Sequence, residues 1–330
     1  MPVLATGSTA TGLAVPVLET GKGGGKAGAG LPSPGPSKAG APAAAEHSGC
    51  QRRGISASLG GEPSPREAMT IDRNARLRDI RNWDDYFHLT IDASEIGREA
   101  RPGQFVMVKV ADGPFPLLRR PLSINAAGAT GIELFFKVAG LGTEILSRKK
   151  PGDPLDIIGP LGKGFTVSVG MKGKRAWLVG GGRGIAPLYF LARELAAMGA
   201  QPTVFYGGRT AADLPLREKF EKAGIEVRCS TDDGSFGFGG LVTELVSREL
   251  ERTKPDIVYA CGPDAMMKAL ATLTARHAVP AEFSLESVMG CGIGACWGCV
   301  HRIKNESGDG WTKICEEGPV FPGERILWPE

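Results

Sequence analysis

The sequence predicts a multi-domain chain: an antiparallel β-barrel, an α/β domain with a parallel sheet, and a small cysteine-bearing C-terminal domain, behind a disordered N-terminal tail. Three observations predict it. Short strand-like runs fill the first patterned block, strands and helices alternate strictly in the second, and four cysteines crowd the end of the chain.

The tail comes first. Residues 1–68 are dominated by Gly, Ala, Pro and Ser and contain no aromatic residue, as in "GKGGGKAGAGLPSPGPSKAGAPAAA". Such a segment buries too little apolar surface to offset its ordering entropy. Globular patterning begins at Met69 with "MTIDRNARLRDIRNW". Met69 is therefore a candidate start, and 1–68 is either untranslated or a low-complexity arm.

Composition narrows the function classes. The 330 residues allow two or three small domains, and the net charge of +3 gives no footprint for nucleic acid or a membrane surface. No apolar run reaches about 18 residues, so no membrane span is expected. The first residues lack a charged start followed by an apolar core, so a cytoplasmic location is expected. Seven cysteines, four of them at one end, do not read as a disulfide framework.

From 69 to 169 the signals are β. "DYFHLTI", "QFVMVKV" and "IELFFKV" are short, rich in β-branched and aromatic residues, and bounded by Gly, Pro or Asp. Turns at close spacing suggest a small barrel. From 170 to 283 the rhythm changes. "RAWLVGGG", "PTVFYGG", "IEVRCST" and "DIVYACG" read as strands. Between and after them, "IAPLYFLARELAAMG", "LREKFEKAG", "GLVTELVSRELERT" and "DAMMKALATLTARHA" read as helices. Alternation of this kind makes a parallel sheet with helices on both faces. The final block, 284–330, carries the cysteines.

Their spacing is Cys291-x4-Cys296-x2-Cys299-x15-Cys315. A plant-type [2Fe–2S] centre uses Cys-x4-Cys-x2-Cys and a distant fourth Cys. Gly290, Gly292, Gly294 and Gly298 let the backbone approach the sulfurs and aim N–H groups at them. Zinc is the main rival, although structural zinc sites present short C-x2-4-C pairs. His301 is a bystander, because a Rieske-type site needs two histidines. Cys50, Cys229 and Cys261 are not expected to be ligands.

Two glycine turns mark the sheet. "LVGGGRGIAPL" places Gly180, Gly181, Gly182 and Gly184 between strand and helix, where free N–H groups favour a phosphate. The spacing departs from G-x-G-x-x-G, and Arg183 is a large cation inside the turn. Cys261, Gly262 and Pro263 form the second turn. Both fall beyond the carboxyl ends of strands, where open sheets bind ligands, so they are expected to line one dinucleotide site.

A flavin follows from electron counting. NADH delivers two electrons as a hydride and a [2Fe–2S] cluster takes one at a time, so a flavin is needed to split the pair. The β block offers a place. In "LLRRPLSI", Arg120 can grip a phosphate through its fork of donors, Pro121 fixes the strand, and Ser123 adds a hydroxyl. "FFKVAGLGT" ends in Gly142 and Thr143, a turn suited to a pyrophosphate.

Together "RRPLSI", "FFKVAGLGT", "IIGPLGKGF", "VGGGRGIAPL", "TDDGSFG", "ACGPDAMM" and "MGCGIGACWGCV…C" resemble the electron-transfer subunit of class 1B dihydroorotate dehydrogenase, within the ferredoxin reductase superfamily. The resemblance covers roughly residues 72–330. It implies FAD contacts at Arg120, Pro121, Leu122 and Ser123, completed by Phe135, Phe136, Lys137, Gly142 and Thr143. It implies cluster ligation by Cys291, Cys296, Cys299 and Cys315. It also implies an FMN-containing catalytic subunit as partner, in a heterotetramer of two of each, feeding electrons to NAD+ in pyrimidine biosynthesis. No catalytic residue for dihydroorotate is found in this chain. Arg183 departs from the family pattern, which places a small apolar residue there.

Two alternatives stay open. The small subunit of a ferredoxin:NADP oxidoreductase or sulfide dehydrogenase resembles this chain in all three blocks, but typically carries Asp where this chain has Cys291. A zinc-stabilised interaction module without redox activity is the reading of another class. The sequence leaves NAD against NADP undecided, since Arg209 in "YGGRT" suits a 2′-phosphate, adenine stacking or solvent equally.

Overall fold

The computed structural model describes residues 69–305 and 308–328. The expected tail over 1–68, with Cys50, lies outside the described residues.

Six strands close a barrel: β1 (Thr70–Trp83), β2 (Tyr86–Asp92), β3 (Phe105–Lys109), β4 (Arg120–Gly128), β5 (Gly131–Lys137) and β6 (Pro154–Leu161). Their order is β1-β2-β5-β4-β3-β6, and every neighbouring pair is antiparallel. Alternate residues point inward, so Leu89, Ile91, Val106, Val108, Ile124, Ile132 and Leu134 fill the interior. β1 is charge-rich and reads poorly as a strand. Pairing on both sides holds it, with Leu77 as its inward anchor. Two short helices, α1 (Ser94–Glu99) and α2 (Leu141–Ser147), follow β2 and β5.

The second layer alternates as the sequence predicts: β7 (Arg175–Gly181), α3 (Ala186–Ala197), β8 (Gln201–Gly208), α4 (Arg217–Lys222) and β9 (Glu226–Thr231). It continues with β10 (Phe238–Gly239), α5 (Val242–Leu250), β11 (Ile257–Cys261), α6 (Asp264–Arg276) and β12 (Ala281–Ser284). The C-terminal part adds β13 (Val300–Asn305), β14 (Gly308–Lys313), α7 (Ile314–Glu317) and β15 (Val320–Pro322). The sheet runs β10-β9-β8-β7-β11-β12-β15. All its pairs are parallel except the last, where β15 returns antiparallel on β12. The cysteine-bearing part is thereby tied into the sheet, and its other strands form the β13–β14 hairpin.

Both sheet faces are covered, which is why β7 and β11 are continuous apolar runs. Ala176 and Leu178 of β7 pack with Leu188 of α3 and Phe220 of α4. Trp177 and Val179, their alternates, pack with Val246 of α5 and Leu270 of α6. Barrel residues Tyr86, Ala126 and Phe135 join the first of these cores, against α3, and Phe105, Met107 and Leu161 join the second.

A polar network crosses the first of these contacts. The Lys219 amine donates to Asn125 Oδ1 (2.6 Å), lies 2.8 Å from His88 Nε2 and pairs with Glu133, whose Oε2 is 3.1 Å from the same His88 nitrogen. Asn125 Nδ2 in turn donates to the Ala186 carbonyl at 2.7 Å. Burial pushes the Glu133 carboxyl up, but contacts with His88 and Lys219 outweigh it and hold it down at about 2.

Candidate functional site

The four cysteines of the motif converge as two pairs. Cys291 and Cys296 hydrogen-bond through their side chains and are half-buried, whereas Cys299 and Cys315 do the same deeper in the core. Charge on Cys291 is felt at Cys315, which joins the pairs. Backbone amides point at the sulfurs: Gly294 N–H donates to Cys315 Sγ (3.2 Å), Cys296 N–H to Cys291 Sγ (3.4 Å) and Cys315 N–H to Cys299 Sγ (3.5 Å). Burial raises the Cys291 thiol, but N–H donors from Cys296, Ile293 and Ala295 outweigh it and bring it to about 7. Burial and the Cys299 thiol push Cys315 up to about 12.

This donor set fits a two-iron cluster. Two thiol pairs serve two metal atoms, and amides aimed at sulfur stabilise thiolate charge. Among the described residues, no three His, Cys, Asp or Glu side chains are disposed around a single ion. His301 stays apart, its ring edge-on to Trp328 at 6.3 Å. Cys229 and Cys261 are buried elsewhere, and burial raises both thiols.

The barrel residues divide by strand face. Arg119 is anchored, donating to the carbonyl and carboxylate of Asp156 at 2.8 Å each. Arg120 instead reaches across to α2, where a Cβ on Gly142 would stand 2.0 Å from its Nε, and it donates to the Leu118 carbonyl. Among the described residues no carboxylate pairs with it, which leaves donors of the fork for a phosphate. Leu122 points into the barrel, while Pro121 and Ser123 lie opposite Met107 and Phe105 of β3.

Phe135 and Phe136 are both buried, stacked on Tyr86 and Phe87 at 5.6 Å each. The Thr143 hydroxyl accepts from the Ala139 and Gly140 N–H groups (2.9 and 3.2 Å) and donates to the Gly140 carbonyl, which shapes the turn. Lys137 turns away from Arg120. Its amine donates to Asp213 Oδ1 (3.0 Å), which also accepts from the Tyr86 hydroxyl at 2.8 Å.

That trio lines a cavity of about 1050 Å³ beyond the carboxyl ends of the sheet strands. The two glycine turns meet there: Gly184 lies so close to the second turn that a Cβ would stand 2.4 Å from the Cys261 carbonyl oxygen. Gly181, Gly182, Gly262 and Pro263 line the wall, and Gly180 and Cys261 sit behind it. Arg183 faces the cavity and pairs with Glu286 at 3.0 Å. Arg209 is held by Asp213 at 3.3 Å. Each of these cations thus carries a carboxylate that an anionic ligand would displace or share.

The iron–sulfur cluster-binding domain of dihydroorotate dehydrogenase B matches residues 286–327, and an oxidoreductase NAD-binding domain matches 178–272. A dihydroorotate dehydrogenase B (NAD(+)) electron transfer subunit from Desulforamulus reducens is 43% identical over 244 residues, 73% of this chain and 92% of that protein. The chain belongs to the family of dihydroorotate dehydrogenase B electron transfer subunits. The subunit from Bacillus caldolyticus is 41% identical over 268 residues, covering 79% of this chain and 99% of its own length. Among solved structures, an NADH-dependent reduced ferredoxin-NADP oxidoreductase, described for flavin-based electron bifurcation, is 31% identical. It covers 82% of this chain and 92% of its own, with a TM-score of 0.67.

The structure also brings together residues that no motif marks. Tyr86 and Asp213 line the cavity beyond the sheet from two different blocks. Met107 is fully buried, with side-chain atoms 2.5 Å from where a Cβ on Gly292 would stand, which joins the barrel to the cluster loop. None carries a sequence signature. Lys313 and Glu316 flank Cys315 in the sequence. Among the described residues, no helix is long and apolar enough to cross a membrane.

Proposed function

We propose that this chain carries electrons from an FMN-containing catalytic subunit, which oxidises dihydroorotate, through a [2Fe–2S] cluster and FAD to NAD+. Residues 69–169 hold the flavin, 170–283 the nucleotide and 284–330 the cluster. Two copies of each subunit form the working assembly.

The observation that carries this reading is spatial order. Met107 of β3 packs on Gly292 in the cluster loop and pairs with Pro121 of the flavin strand. On the same barrel, β5 ends at Lys137 in the nucleotide cavity. This order supports a flavin held on the strands between cluster and nucleotide.

When bound, the flavin exchanges a hydride with the nicotinamide and single electrons with the cluster. The chain's own residues do the holding. Arg120 supplies charge-assisted hydrogen bonds to a phosphate. Gly181, Gly182 and Gly184 let the nucleotide approach the backbone at the head of α3. Asp213 fixes Lys137 and Tyr86 at the seam between the two sites. The partner docks on the side of Cys291 and Cys296, where Ile293 and Trp297 are exposed.

An anaerobic titration of the purified chain with NADH tests this reading. Flavin absorbance should bleach, and an electron paramagnetic resonance signal of a reduced [2Fe–2S] cluster should grow in. A colourless protein would return the zinc-stabilised module. Reduction of the flavin without the cluster would break the proposed order.

A further inference from the structure

The cluster loop is gripped by an ion pair that no cofactor motif includes. Lys313 ends β14 and Glu316 lies on α7, so the two flank Cys315, and their side chains form an ion pair with only 17% and 22% exposure. The Lys313 amine donates to the Gly294 carbonyl at 2.9 Å and lies over the Trp297 ring, 5.2 Å from its centroid. The Glu316 carboxylate fills the other side of Gly294, where a Cβ would stand 2.8 Å from it. Gly294 has φ of 79°, and its N–H donates to Cys315 Sγ at 3.2 Å. One glycine thus connects a ligand sulfur, an ammonium and a carboxylate.

We propose that Lys313 and Glu316 form a charge-compensated clamp that holds the Gly294 turn on Cys315 while keeping either charge alone from shifting the reduction potential of the cluster held by Cys291, Cys296, Cys299 and Cys315. The inference rests on the cluster reading above. Reduction adds one negative charge to a group already ligated by four thiolates. Net charge and hydrogen bonding to the sulfurs govern the potential of such groups. A half-buried ammonium beside the loop favours the reduced form, and a half-buried carboxylate opposes it. Together they nearly cancel, while the lysine keeps the Gly294 carbonyl turned toward it and the N–H turned toward sulfur. These are positioning residues: neither is a ligand.

The test is an anaerobic redox titration of the purified, cluster-loaded chain, followed by electron paramagnetic resonance. It compares the wild type with Lys313→Met, Glu316→Gln, the double variant and Lys313→Arg. Lys313→Met removes the ammonium and keeps the carboxylate, so the midpoint should fall. Glu316→Gln removes the negative charge and keeps the ammonium, so the midpoint should rise. The double variant should return toward the wild type, and Lys313→Arg should stay near it. Single variants that both shift the same way, or neither shifts, would overturn the clamp as a charge-compensated device. So would variants that shed the cluster irrespective of charge, since that is a purely structural role. A wild-type chain with no reduced-cluster signal would overturn the cluster reading itself and the clamp with it.

Discussion

The guanidinium of Arg120 occupies the space that a side chain would take at Gly142: a Cβ there would stand 2.0 Å from Nε and 2.6 Å from Cζ. Two motifs 22 positions apart in the sequence, one starting β4 and one opening α2, are thereby made into one surface. The proposed flavin site depends on that contact.

Arg120→Ala is expected to weaken FAD retention by roughly 10- to 150-fold, the equivalent of about 1.5–3 kcal/mol for a charge-assisted contact. Gly142→Ala should act in the same direction. The new methyl meets the mobile end of an arginine rather than backbone, so the fold should tolerate it while Arg120 is displaced. Flavin content after dialysis, read beside the melting temperature, checks both variants. Unchanged flavin in Arg120→Ala would remove that residue from the site.

Cys291→Ser is expected to abolish the iron–sulfur spectrum while bound FAD stays at wild-type level. Cys291 lies in the cluster loop, and the proposed flavin contacts all lie on the barrel. Iron, sulfide and flavin analysis of one preparation settles it. Loss of FAD to the same extent from a folded chain would show that the two sites are not separable.

Gly184→Ala should raise the KM for NADH by roughly 5- to 150-fold, taking about 1–3 kcal/mol for overpacking against rigid backbone. The added Cβ would meet the Cys261 carbonyl and the Gly262 Cα, neither of which can turn aside. Steady-state NADH-dependent dye reduction is the measurement. A KM within twofold of wild type would show that the two turns do not have to touch.

Much of this architecture was legible in the residues. The alternation in "RAWLVGGG…IAPLYFLARELAAMG" predicted β7 and α3 because each element shows its own period. The cysteine spacing predicted the cluster loop because coordination chemistry fixes it. β1 was not legible: "RLRDIRNW" is held by pairing on both flanks, and pairing leaves no local pattern. By sequence Lys137 belongs with the residues expected to hold the flavin, yet its amine reaches Asp213 across the seam between barrel and sheet. Arg183 looked anomalous in a glycine turn until Glu286, 103 positions later, stood 3.0 Å away. Contacts between distant segments are set by the packing of whole elements, and single motifs carry no record of them.

The Lys219 network gives a stability prediction with a pH signature. Lys219→Met leaves the Glu133 carboxylate without its ammonium. The cost should be about 2–3 kcal/mol, below that of a fully buried pair because the two side chains keep 23% and 31% exposure. The melting temperature should fall by roughly 4–12 °C. Glu133 is held at about 2 against its ordinary 4.5. Its stabilisation is therefore present in full above pH 4.5 and is lost as the pH falls toward 2. The gap between wild type and variant should narrow across that range. A gap that is constant with pH would mean that Glu133 is not the partner that matters.

This chain is expected to conduct electrons without itself oxidising dihydroorotate. The most direct measurement assays two reactions side by side, with the purified chain alone and after addition of the FMN-bearing catalytic subunit. Alone, the chain should reduce an artificial dye with NADH and show no dihydroorotate-dependent reduction of NAD+. With the partner, dihydroorotate-dependent NADH formation should appear, and it should vanish when Cys291→Ser replaces the wild type. Dihydroorotate turnover by the chain alone, or turnover with the partner that survives loss of the cluster, would contradict the account.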